Sequence, residues 1–153
     1  KYAIETFDDE IRVDELCKVL LQQYHQFLLK NKDISPLQAG SHASGADYFL
    51  RDFMIDNRRK NITEISPELI HGFAGNWYII NTLEPNMEEL KSILLGIDFF
   101  YLFCAEKKML DPTLVEKIHQ ACSWIDYYRE RIESFHDISG DGYIVWNSSC
   151  PFK

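Results

Sequence analysis

Three groups of side chains in this sequence have the types and spacings that chemistry requires. The first is Asp137-Ile138-Ser139-Gly140-Asp141-Gly142-Tyr143, which matches the opening of an EF-hand calcium loop and follows a predicted helix. Calcium takes about six to eight oxygens, and the side chains of Asp137, Ser139 and Asp141 with the Tyr143 carbonyl would supply part of that set. The position that should carry a bidentate glutamate is Ser148, and Pro151 opposes an exiting helix, so any calcium site is expected to be weak. The plainer reading is a Gly-rich turn that leads out of the last helix into a short extended tail.

The second group is a pair of Glu-x-x-His steps, Glu68/His71 and Glu116/His119, each near a helix start. In ferritin-like bundles such pairs, with further glutamates, hold a di-iron centre. Helical phase argues against it here: His71 falls about 140° from the centre of the Leu69/Phe73/Trp77 stripe. Glu116 and His119 likewise point away from Leu114, Ile118 and Ile125, so both pairs are expected to face water. The third group is Arg51, Arg58, Arg59 and Lys60, which reads as a solvated helix end that complements the helix dipole, or alternatively as a clamp for DNA. Asp98 stands alone as an acid inside the most apolar stretch and is expected to be partly exposed and hydrogen-bonded to a neighbouring helix.

The remaining histidines, His25, His42 and His136, have no partner at metal or triad spacing, and no Walker loop, dinucleotide fingerprint, Cys-x-x-Cys or nucleophile elbow occurs. Cys17, Cys104, Cys122 and Cys150 share no metal-type spacing and read as reduced core thiols of a cytoplasmic protein. No catalytic role and no cofactor is therefore expected, weak calcium aside. A formal charge of −8 works against a broad nucleic-acid surface, and 46% hydrophobic residues with 14% aromatics is globular composition. No signal peptide and no long uncharged apolar run is present, so no membrane partner is expected. The chain starts at Lys1 without a methionine, as expected of a trimmed or processed protein, which leaves room for a removed leader.

These side chains must be positioned by helices. The longest is predicted over 86–110, where Asn86 can cap the free amides and Glu89 can reach back to it. Leu90, Ile93, Leu94, Ile97, Tyr101 and Cys104 then mark one face, and Leu95, Phe99, Phe100, Leu102 and Phe103 widen it, as in a central helix packed on several sides. Another helix is predicted over 13–30. Residues 31–45, with Pro36, two glycines and several serines, read as a loop, followed by a helix over 46–59 capped by Ser44 and Asp47. Ser66-Pro67 and Asp111-Pro112 are cap-plus-proline starts for a third helix and for a fifth over 112–136. Gly72 and Gly75 weaken the third helix and can permit close contact. Trp77, Tyr78, Trp124 and Tyr127 read as core, or else as a partner groove or dimer seam.

Three pieces, ISPLQAGSHASGADYFLRDFM, ITEISPELIHGFAGNWYI and EPNMEELKSILLGIDFFYLFCAEKKMLDP, together resemble the N-terminal core-binding domain of tyrosine recombinases of the phage-integrase type. The resemblance covers residues 13–112 and implies a SAM-like bundle of four helices. The family's catalytic tyrosine, arginines and His-x-x-Arg motif have no counterpart here. The expected architecture is thus all-α: a compact single domain over 1–153, with an N-terminal segment 1–12, a bundle of about five SAM-like helices over 13–136, and a tail over 137–153. The expected role is a non-catalytic protein-interaction or self-associating module, as a homodimer or with a protein partner. The alternatives are a DNA-binding remnant of a recombinase-like protein and a weak calcium-binding module.

Overall fold

In the computed structural model, which describes residues 3–31 and 33–153, every regular element is a helix and no strand occurs among those residues. Helix α1 is Phe7–Leu29, capped by a box in which Thr6 and Asp9 satisfy each other's backbone amides. Helix α2 runs without a break over 36–57, as α-helical Pro36–Asp47 and π-helical Tyr48–Asn57. A 3₁₀ turn, Ile62–Glu64, leads to α3 over 67–80, which joins Pro67–Gly72, a π-helical stretch Phe73–Trp77 and Tyr78–Ile80. Helices α4 (Met87–Glu106), α5 (Pro112–Cys122), α6 (Ile125–His136) and α7 (Gly142–Ser148) follow. The all-α class is as expected, but among the described residues seven helices replace the expected five.

Helix α4 is central, as its apolar excess predicts. It packs against α1, α2, α5 and α6, and its contact with α2 is the most extensive in the molecule. Its predicted core face, Leu90 through Cys104, is buried with Phe100 and Phe103, while Leu95 and Leu102 stay exposed. The α2–α4 seam depends on missing side chains. A Cβ on Gly96 would sit 2.3 Å from the His42 carbonyl oxygen, and one on Gly45 would sit 2.8 Å from the Ile93 Cα. Neither neighbour can move, because both are helical backbone. The Gly96 carbonyl in turn accepts the Tyr24 hydroxyl at 2.7 Å, which ties α1 to the same point.

The corner formed by α3, α6 and α7 is closed by polar side chains. Arg131 is buried with no ion pair among the described residues, and burial lowers its pKa. Its guanidinium donates to the Gly75 carbonyl at 2.7 Å, Asn76 Oδ1 at 2.9 Å, the Trp146 carbonyl at 3.0 Å and Ser149 Oγ at 2.8 Å. It also stacks 3.8 Å from the centre of the Trp146 ring. Four acceptors and an aromatic face replace the water the cation has lost. Asn76 and Gly75 lie in the π-helical part of α3, so Arg131 bolts that stretch and α7 to α6. The facing π-helical stretches of α2 and α3 meet through Phe49, Phe53, Phe73 and Trp77, with Phe49 and Phe73 edge to face at 4.9 Å.

Four expectations about the elements are corrected. Residues 36–45 are helical, not loop, because Ser35 and Gln38 form a capping box with Pro36 at the first helical position, and Ser44 and Asp47 cap nothing. The fifth helix is two, broken at Ser123-Trp124, where the Ser123 hydroxyl bonds the His119 carbonyl at 2.9 Å and Trp124 turns to stack on His71. The tail is not extended: Gly142–Ser148 is helical, held by Trp146 Nε1 donating to the Arg131 carbonyl at 3.0 Å. Glu89 does not close a box on Asn86. It accepts the Tyr78 hydroxyl at 2.7 Å, and the Tyr78 oxygen takes the Asn86 amide.

Candidate functional site

The residues expected to carry chemistry are dispersed. Arg51 bonds Asp14 at 2.9 Å and Asp47 at 3.1 Å, and these pairs hold its pKa up. Arg59 pairs with Glu10, Lys60 lies 3.9 Å from Glu64, and Arg58 sits 4.9 Å over the Phe53 ring. The charge of three of the four is matched by the protein's own acids, the opposite of what a phosphate clamp requires.

Asp137, Ser139 and Asp141 are exposed around the α6–α7 turn, where Gly140 takes a φ of +54°. Tyr143 lies in the first turn of α7, so its carbonyl runs along the helix axis instead of into a loop. Among the described residues, no group of three or more His, Cys, Asp and Glu is placed to hold a metal ion.

The two Glu-x-x-His steps have opposite fates. His119 is exposed, as its phase predicts, and its Nδ1 lies 2.7 Å from Asp98, the neighbouring-helix partner expected for that acid. The hydrogen bond to Asp98 raises its pKa. His71 is buried instead, which corrects the expectation that it faces water. Its ring stacks on Trp124 at 3.7 Å between centres, and the Phe152 ring is also near, at 4.7 Å. The Tyr128 hydroxyl donates to the Ala121 carbonyl at 2.6 Å, so the 3.0 Å contact with His71 Nδ1 requires the histidine to donate. Burial lowers the His71 pKa, which keeps that neutral tautomer. Periodicity fails here because α3 is buried on nearly every side: the tail covers the face that a two-sided helix would turn to solvent. Gly72 shows this, since a Cβ there would sit 2.5 Å from the Phe152 carbonyl oxygen.

What the structure assembles, and the sequence did not indicate, is a cleft of about 1010 Å³ between α2 and the start of α4. Its floor is the outer face of α2, with Gly40, Ser41 and Ser44 between Leu37 and Tyr48, and its far wall is the α3–α4 turn with Leu83. Leu37, on α2, is 83% exposed and Leu83, in the α3–α4 turn, is 99% exposed, and both line the cleft. Glu88 and Glu89 line it, and among the described residues no Lys or Arg does. The cleft is invisible in the sequence while 31–45 is read as a loop. The signal was Ser35-Pro36-Leu37-Gln38, the same kind of start that marks Ser66-Pro67.

No family model, no curated protein and no solved structure matches the chain. The site must therefore be judged on its own chemistry. Burial pushes the Cys17 and Cys104 thiols up to about 12, and Cys122 well above the ordinary thiol value, which disfavours the thiolate at these three positions. Tyr24, Tyr101 and Tyr128 are likewise pushed up by burial and serve as hydrogen-bond donors to backbone carbonyls. The cleft has hydroxyls, two carboxylates and apolar flanks, a surface suited to binding. No helix among the described residues is long and apolar enough to cross a membrane.

Proposed function

We propose that the protein is a non-catalytic interaction module that docks a segment of a partner protein in the cleft between α2 and the α3–α4 turn. The observation that carries this reading is the pair Leu37 and Leu83, both exposed and both lining a concave surface where α2 contributes only Gly40, Ser41, Ser44 and Gly45 between Leu37 and Tyr48. Apolar groups that remain open beside a groove after the core is complete are a common mark of a docking surface. Binding there needs no rearrangement of the core, because Leu83 sits in a turn and Leu37 on the outer face of the first turn of α2.

The test is a selection of displayed random peptides on the wild-type protein, followed by counter-screening on Leu37→Asp and Leu83→Asp. The reading expects families of binders that both substitutions abolish while thermal stability is unchanged. Binders indifferent to both substitutions, or none at all, would remove the cleft as the working surface. Self-association is checked alongside by light scattering over a concentration series.

A further inference from the structure

Gly40 is not required by any close neighbour among the described residues. Among the described residues, the glycines Gly45, Gly72, Gly75 and Gly96 are each pressed by a neighbour at 3.0 Å or closer from an added Cβ, and Gly140 turns the chain at φ +54°. Gly142 is close to Ile138 at 3.3 Å. Gly40 sits inside α2 with an ordinary helical backbone, and a Cβ there would meet nothing within 4 Å. Glycine inside a helix is destabilising relative to alanine, and no close contact among the described residues offsets that. The position lies where a groove shared by α1 and α2 meets the cleft.

We propose that the cleft receives a positively charged amphipathic helix of a partner protein, whose backbone approaches α2 most closely over Gly40. This rests on the docking reading above and specifies the occupant. Helices are favoured over extended strands because no strand edge exists among the described residues for a peptide to extend, whereas an apolar trough between helices takes a helix through its apolar face. The trough runs along α2 from Leu37 to Tyr48, about 16 Å at the helical rise, the length of about three turns of a partner helix. Gly40 and Ser44, four residues apart on one face of α2, remove the bulk that would keep two helix axes apart.

Charge sets the sign of the partner. Glu88 and Glu89 line the cleft without a basic residue among the described residues, and Glu84 is exposed beside Leu83. Across the ridge, Lys18 and Arg51 are held by Glu15, Asp14 and Asp47, so they do not reverse the field. With a net charge of −8, a second copy of this chain meets repulsion that a cationic helix does not.

Three synthetic peptides of about 16 residues provide the test: an amphipathic Leu/Lys helix, its Leu/Glu counterpart, and the Leu/Lys sequence with central prolines. Binding is followed by fluorescence anisotropy and by amide NMR shifts. The Leu/Lys helix is expected to move signals over 37–48 and 81–83, and to bind at least about tenfold more tightly than either other peptide. Gly40→Leu should weaken it by about tenfold or more while the melting temperature does not fall, since the added side chain projects into open space. Equal binding of the Leu/Glu or proline peptide, binding indifferent to Gly40→Leu, or shifts outside the cleft would overturn the proposal. A concentration-dependent dimer abolished by Gly40→Leu would overturn it in favour of a second copy. If the displayed-peptide selection returns acidic or non-helical binders that still depend on Leu37 and Leu83, the docking reading stands and this identification of the occupant falls.

Discussion

The α2–α4 seam and the α3–α6–α7 corner hold the same molecule together by opposite means. At the seam, two helices meet backbone to backbone because Gly45 and Gly96 have no side chains, and the attraction is dense van der Waals contact. At the corner, Arg131 fills the gap with a buried cation and satisfies carbonyls from α3 and α7. A seam of this kind tolerates no added atom. A corner of this kind tolerates no lost donor. The comparison also explains where a surface is free to bind: side chains saturate the corner, while the seam continues outward into the bare floor of the cleft.

The largest expected effect is at the seam. Gly96→Ala places a carbon 2.3 Å from a helical carbonyl oxygen and should cost about 3 kcal/mol in urea unfolding, since overpacking against fixed backbone is destabilising. A cost near zero would mean that the seam has slack and that the contrast with the corner is wrong. Arg131→Met keeps the apolar stem but removes the guanidinium that donates to the Gly75 carbonyl and to Asn76 Oδ1, while the Trp146 carbonyl keeps the Ser149 hydroxyl, at an expected cost of about 2 kcal/mol. Hydrogen exchange should then speed up in α7 and in the π-helical part of α3 while α2 and α4 stay protected. Uniform loss of protection would show that the two regions are not separable.

Acid sharpens the contrast through the histidines. Burial lowers the pKa of both His42, at the seam, and His71, at the corner, so their neutral forms belong to the folded state. The stability this represents is present above the ordinary histidine value and is lost as pH falls through each folded value. His119 runs the other way. Its pKa is raised by Asp98, so its contribution is complete below the ordinary value and is lost as pH rises through the folded one. Being exposed, that pair contributes less than about 1 kcal/mol. An NMR titration of the ring protons should therefore order His119 above His42 and His71, and any other order would sink the assignment.

The smallest effects fall on the cleft. Gly40→Ala should stabilise the protein by about 1 kcal/mol, because it adds helix propensity at no steric cost. Leu83→Ser should change stability by less than about 0.5 kcal/mol, as expected for a fully exposed side chain, while removing peptide binding.

Much of the architecture could be read directly. Three caps, Ser66, Asn86 and Asp111, each accept a backbone amide as their side-chain chemistry predicts, and the core face of α4 is buried along its predicted stripe. Asp98 has a partner on the neighbouring helix, as expected for an acid at the edge of that stripe. The candidate site was not legible. Gly40, Gly45 and the serines around them read as loop punctuation, and the tail after the Gly-rich turn read as extended although Gly142–Ser148 folds as α7.

Composition, capping residues and apolar period determined on their own that this chain is helical, where α3, α4 and α5 begin, and that α4 lies at the centre. These are local properties, since a cap or a stripe is defined by residues within a few turns of each other. Tertiary structure alone decided which glycine is pressed by a distant backbone and which lies open, whether a histidine faces water or an indole ring, and which acids neutralise Arg51 and Arg59. The physical reason is that each of these depends on a distance to an atom far away along the chain. Gly40 and Gly96 are the same residue in the same kind of helix, and only what stands opposite the missing side chain tells them apart.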